Sequence, residues 1–98
     1  MGSSNKRNTI YMKTFKDLEF IELDQYMNGV AARIMFENGY GVSVVCHSFS
    51  YGGAAGLYEL AVLDTDGEIT YDTDVTDNVI GHLTPEQVTE TMTFVQAL

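Results

Sequence analysis

The chain is short of positive charge, of cysteine and of long apolar runs, and each shortage removes a class of function. Five Lys and Arg stand against fourteen Asp and Glu, and four of the five, Lys6, Arg7, Lys13 and Lys16, fall in the first sixteen residues. From Asp17 onward Arg33 is the one base against fourteen acids, a formal charge of −13 for the part that reads as folded. A field of that sign repels nucleic acid and anionic lipid and attracts a basic protein surface. The bland alternative is that the acids serve solubility alone. Cys46 is the single cysteine, so no internal disulfide forms and a reducing compartment such as the cytosol is expected. No apolar run approaches the ~20 residues of a membrane-spanning helix, and the opening residues lack the basic-then-apolar pattern of a secretory leader.

With 98 residues, 45% of them hydrophobic, the chain has material for one small domain. Residues 1–11 are polar, small and without apolar period. They read as a disordered tail or an expression scar, with Met12 as the natural first residue, and 12–98 as a single domain.

The apolar pattern predicts an α+β fold, a four- to five-stranded antiparallel β-meander with one C-terminal helix packed on one face. Phe15 to Leu23 reads as a strand, with a short helix as rival, and Asp24 to Gly29 as a loop. Asn38-Gly39 fits a two-residue type I′ hairpin turn. That register pairs Ala32 with Val45 and Ile34 with Ser43 on one face, and Arg33 with Val44 and Met35 with Val42 on the other. Both faces are then largely apolar. Ser50 to Gly56 is a Gly-rich connection, and Leu57 to Leu63 a buried central strand. Asp64-Thr65-Asp66-Gly67 fits a type I turn with Gly left-handed, setting Leu63 beside Ile69 and Ala61 beside Tyr71. Ile69 to Thr73 reads as the last strand and Thr76 to Gly81 as one isolated helical turn. Thr84, Pro85 and Gln87 make a capping box with Pro at the first helical position, and Leu83 and Val88 a hydrophobic staple. One helix of about fourteen residues spans about 20 Å. It covers one sheet face and leaves the other for a homodimer or a partner.

Several strings resemble a family of small phage-encoded proteins to which no function is assigned. They are Asn38-Gly39-Tyr40-Gly41-Val42-Ser43-Val44-Val45, Ser50-Tyr51-Gly52-Gly53, Gly56-Leu57-Tyr58-Glu59-Leu60-Ala61-Val62-Leu63, Gly67-Glu68-Ile69-Thr70-Tyr71-Asp72-Thr73 and Val79-Ile80-Gly81-His82-Leu83-Thr84. The resemblance runs from about Phe15 to the C-terminus and carries no catalytic motif. It implies a phage or prophage accessory protein acting in the bacterial cytosol, and it transfers no site residues.

Asp64, Asp66, Glu68, Asp72, Asp74 and Asp77 form the densest chemical feature. As a calcium loop they fail: aligning Gly67 with the loop glycine puts Val62 and Thr73 where the first and last oxygen ligands belong. As a row of carboxylates they suit a basic protein surface, including the phosphate-binding groove of a host nucleic-acid-acting or defence protein. Phe49, Tyr51, Gly52 and Gly53 are a candidate contact loop, against the plainer reading of a flexible connection. Gly39 to Val44 has a superficial likeness to an RNA-binding strand, but Asn38 and Val42 replace the base and the second aromatic that such a strand needs. Adjacent strand residues point to opposite faces, so Cys46 and His47 do not form a dyad. Neither a metal set nor a nucleophile motif stands out, and no cofactor is expected. The sequence therefore predicts a non-enzymatic acidic binding protein, with a homo-oligomeric structural module as the alternative.

Overall fold

The computed structural model describes residues 12–98, so the expected tail at 1–11 lies outside the described residues. Five antiparallel strands follow one another in sheet order: β1 (Ile21–Glu22), β2 (Val30–Met35), β3 (Gly41–Cys46), β4 (Tyr58–Leu63) and β5 (Ile80–Leu83). The helix α1 (Pro85–Gln96) closes the chain. This is the expected α+β meander with one helix on one face.

The helix forms where local chemistry specifies it. Thr84 Oγ1 accepts from the Gln87 amide at 3.2 Å, and Gln87 Oε1 accepts from the Thr84 amide at 2.9 Å. Val88, Thr91, Met92 and Val95 make the buried stripe. The one polar member, Thr91, donates its hydroxyl to the Gln87 carbonyl at 2.9 Å, so nothing polar is left unpaired there. Replacing Thr84 with alanine removes an N-cap acceptor and should lower stability by about 1 kcal/mol in urea denaturation. A loss too small to measure would show that packing alone holds this helix start.

The hairpin between β2 and β3 departs from the expected register. The turn has three residues, Glu37-Asn38-Gly39, with Phe36 and Tyr40 paired across it, and Gly39 takes φ 94°. Ala32 therefore faces Val44, and Ile34 faces Val42. A shift of one residue sorts the side chains by face. Val30, Ala32, Ile34, Phe36, Tyr40, Val42 and Val44 now share the helix side, while Ala31, Arg33, Met35, Ser43 and Val45 share the other. The two-residue turn would have left Val42 and Val44 opposite Met35 and Arg33 and outside the core. Burying each valine is worth about 1.5–3 kcal/mol, more than turn types differ by. Asn38 contributes as well: its Nδ2 donates to the Val95 carbonyl at 2.9 Å and its Oδ1 accepts from the Tyr40 amide at 3.1 Å, tying the turn to the end of α1.

Three further segments differ. Phe15 to Leu23 is not one strand but a 3-10 turn (Phe15–Asp17) followed by the two residues of β1. Phe15, Phe20 and Tyr58 cluster there in tilted and edge-on contacts with ring centroids 5.1–5.6 Å apart, and Leu18 enters the core. The aromatic cluster explains the change, because it draws the chain over the helix edge. Ile69 to Thr73 does not form a strand. Ile69 pairs with Leu63 as expected, but the Thr70 amide bond to the Val62 carbonyl ends the pairing, and Ala61 never meets Tyr71. The place beside β4 goes instead to Ile80–Leu83, of which Ile80 and Gly81 were read from sequence as the end of a helical turn. Ile80 and Leu83 reach the core from there, whereas Ile69 and Tyr71 are exposed.

Candidate functional site

β3 runs from the acidic end of the sheet to the opposite end, and β4 runs back. The turns Glu37–Gly39 and Thr65–Gly67 therefore share one end, and a Cβ on Gly39 would lie 3.0 Å from Thr65 Cγ2. The loops before β2 and after β3 share the other end.

The acidic residues do not form one pocket. Asp64, Asp66 and Glu68 meet in a single turn, where Asp64 Oδ1 accepts from the Asp66 amide at 2.9 Å and the Glu68 amide at 3.0 Å. Asp64 is thus committed to shaping the turn, with Gly67 at φ 78°. After Thr70 the chain leaves the sheet edge and passes to the helix side, where Val75 packs on the core and Asp74 lies beside Phe94 and Leu98. Asp66, Glu68, Asp72, Asp74 and Asp77 are all exposed along this path. They make a belt rather than a chelating cluster, and no three His, Cys, Asp or Glu among the described residues converge on a metal position. Val62, at the first position of the tested calcium alignment, is buried in β4.

Arg33 lies on the sheet face away from the helix and reaches the same turn, donating from Nη1 to the Gly67 carbonyl at 3.2 Å. No helix among the described residues packs on this face. Ala61 and Leu63 are nevertheless buried on it, at 6% and 1% exposure. Leu63 is enclosed because Ile69 pairs beside it and the turn folds back toward Arg33. Glu19, Ile21, Ala31, Arg33 and Ser43 line a hollow on the β1 side of the face.

At the far end the Gly-rich loop is not the flexible connection its composition suggests. A 3-10 turn (Gly53–Ala55) organises it, flanked by Gly52 at φ 94° and Gly56 at φ 76°. The Leu57 amide returns to the Gly52 carbonyl at 3.0 Å, and the Tyr51 carbonyl accepts from the His82 amide at 3.0 Å. The Tyr51 amide donates to Glu59 Oε1 at 2.8 Å. Ser50 Oγ accepts from the His47 amide at 2.9 Å and donates back to the His47 carbonyl at 3.0 Å. Glycine is required at Gly53 and Gly81 because backbone or Cβ atoms come within clash distance of any added Cβ.

The loop holds Phe49 and Tyr51 outward at 60% and 62% exposure, and Phe49 stacks on Tyr26 with centroids 5.1 Å apart. Tyr26, the most exposed of the three at 75%, was not singled out by sequence reasoning. The signal was present but indirect: once β2 and β3 pair, the loop before one must meet the loop after the other. The Ser48 amide bond to the Met27 carbonyl at 2.8 Å makes that junction. His47 lies against Phe49, and its Nδ1 accepts the Phe49 amide at 3.1 Å. Cys46, on the helix side of β3, is half-buried rather than sealed in the core, and its thiol approaches the Gly53 carbonyl at 3.8 Å.

Comparison with protein families, with curated proteins and with solved structures finds no match to this chain. No helix among the described residues is long and apolar enough to cross a membrane.

Proposed function

We propose that the protein is a non-enzymatic binding protein that engages a basic protein surface through Asp66, Glu68, Asp72, Asp74 and Asp77. The observation that supports this reading is the course of the acidic segment. It is anchored at Ile69 and Val75, yet every one of these five carboxylate side chains is exposed. The anchors hold the belt in one path, so the carboxylates present a fixed row of negative charge without the ordering cost of a free chain. Asp64 leaves the expected contact set because its carboxylate builds the turn.

A row of carboxylates suits a surface built to hold phosphates, which supports reading the partner as a nucleic-acid-acting or defence protein of a bacterial host. The resemblance to phage accessory proteins supports the same setting, the cytosol of an infected cell.

The test is capture from bacterial lysate by the immobilised chain at low and high salt. A partner held by the belt should release as salt rises. It should also be lost when Asp66, Glu68 and Asp72 are replaced together by lysine, with circular dichroism showing an intact fold. Capture that persists in the folded triple variant would falsify the proposal.

A further inference from the structure

We propose that Asn28-Gly29 is a site of spontaneous deamidation, and that its isoaspartate product loosens the aromatic end of the molecule. The inference is independent of the acidic belt. The chain holds two Asn-Gly pairs, Asn28-Gly29 and Asn38-Gly39. In both, a following residue without a side chain leaves its amide nitrogen unhindered for attack on the asparagine. Their surroundings separate them.

Asn38 is tied down at both side-chain atoms. Its Nδ2 donates to the Val95 carbonyl at 2.9 Å and the Leu98 carbonyl at 3.4 Å, and its Oδ1 accepts from the Tyr40 amide at 3.1 Å. The attacking group there would be the Gly39 amide, which donates to the Phe36 carbonyl at 3.0 Å. Ring closure at Asn38 must give up these bonds first. Asn28 differs on each point. It is exposed, and among the described residues its side chain makes no hydrogen bond and the Gly29 amide donates to no acceptor.

The chemistry needs only water. Solvent base takes the Gly29 amide proton, and the nitrogen attacks Asn28 Cγ. The new N–C bond forms, the Cγ–Nδ2 bond breaks, and Nδ2 takes a proton from water and leaves as ammonia. Water then opens the cyclic imide. Attack at Cγ gives aspartate. Attack at the backbone carbonyl gives isoaspartate, in which the chain runs through Cβ and Cγ. Nothing is oxidised or reduced, and water is consumed and ammonia released in equal amounts.

Isoaspartate lengthens the backbone where it is pinned on both sides. The Asn28 amide donates to the Asp24 carbonyl, the Met27 carbonyl accepts from the Ser48 amide, and the Gly29 carbonyl accepts from the Leu23 amide, each at 2.8 Å. Gly29 lies so close to the end of β3 that an added Cβ would overlap the Cys46 carbonyl oxygen. The extra atom is therefore accommodated by releasing the Met27–Ser48 bond, the junction that sets Tyr26 against Phe49.

The folded full chain and the same chain in urea, both in mildly alkaline buffer, are compared by peptide mapping with mass spectrometry. In the folded chain Asn28 should convert at least about tenfold faster than Asn38, the factor expected when net hydrogen bonds are lost on the way to the transition state. In urea the two rates should converge. Asn28→Gly should keep the fold, because glycine suits the φ of 54° at this position, and should remove the early conversion. Hydrogen exchange at the Ser48 amide should be faster in the isoaspartate form than in Asn28→Asp, which carries the same added charge without the added backbone atom. A folded chain that converts Asn38 first, converts both alike, or keeps both intact while the chain in urea is converted overturns the site. Equal Ser48 exchange in the two forms overturns the effect on the aromatic end.

Discussion

Leu60→Ala should bring the domain close to unfolding at room temperature. Leu60 is fully buried in the middle of β4, paired with Val44 on one side and Ile80 on the other. It belongs to the single core cluster that also holds Val88, Met92 and Val95 of the helix, so its side chain lies where sheet and helix meet. Truncation leaves a cavity that neighbouring strands cannot close without breaking their own pairing. Such changes cost about 2–5 kcal/mol, and a domain of this size has only about 5–15 kcal/mol in all. At about 4–8 °C per kcal/mol the melting temperature should fall by roughly 10–30 °C. Ile21→Ala makes the comparison, since Ile21 is exposed on the open face and should change stability by about 0.5 kcal/mol or less in the monomer. Urea denaturation at low protein concentration reads both. A Leu60→Ala loss below about 1 kcal/mol would mean the core is not centred between β4 and α1.

Gly53→Ala should disrupt the aromatic end of the molecule far more than the same change three residues on. A Cβ at Gly53 would lie 1.9 Å from the His47 carbonyl oxygen and 2.5 Å from Ser50 Oγ. The first contact is with backbone that also accepts from the Ser50 amide at 3.2 Å and from the Ser50 hydroxyl. Relieving the clash must open the loop that holds Phe49 and Tyr51, at a cost of about 2–3 kcal/mol or more. At Gly56 nothing lies within 4 Å of an added Cβ, and the penalty is only the left-handed backbone at φ 76°. That is worth about 1 kcal/mol. Thermal melts rank the two variants, and hydrogen exchange at the Leu57 and His82 amides localises the damage. Equal losses in Gly53→Ala and Gly56→Ala would show that the loop yields freely and does not position its aromatics.

The readings of the helix cap and of the Asp64 turn, which depended on neighbouring residues alone, held. Thr84, Pro85 and Gln87 encode a helix start within four positions, and the side-chain bonds at 3.2 and 2.9 Å are those the pattern demands. Asp64 to Gly67 likewise closes as expected, because a left-handed glycine and an Asp acceptor are both local requirements. The acidic belt was visible as composition, but its division into a turn-building Asp64 and five exposed carboxylates was not. That division depends on which amides happen to fall near Asp64 Oδ1.

The strand register shows where local reasoning ends. Asn38-Gly39 accommodates either a two-residue or a three-residue turn, since Gly39 supplies the left-handed residue in both. Their free-energy difference is small, and the choice passed to the core. Only the three-residue turn puts Val42 and Val44 beneath Met92 and Val95 with Ala32 and Ile34. The contest for the strand beside β4 was decided in the same way. Ile69 to Thr73 has the local pattern of a strand, but Ile80 and Leu83 can reach the core from that position and lead directly into the helix cap.

The amino-acid sequence by itself thus determined the class of fold, the helix start, the left-handed turns and the acidic character, because each follows from residues a few positions apart. Tertiary structure alone decided the register of β2 on β3, the identity of the fifth strand, and the meeting of Tyr26 with Phe49 at one end. Each of these rests on burial shared between segments distant in the chain, and no short stretch of sequence contains both partners.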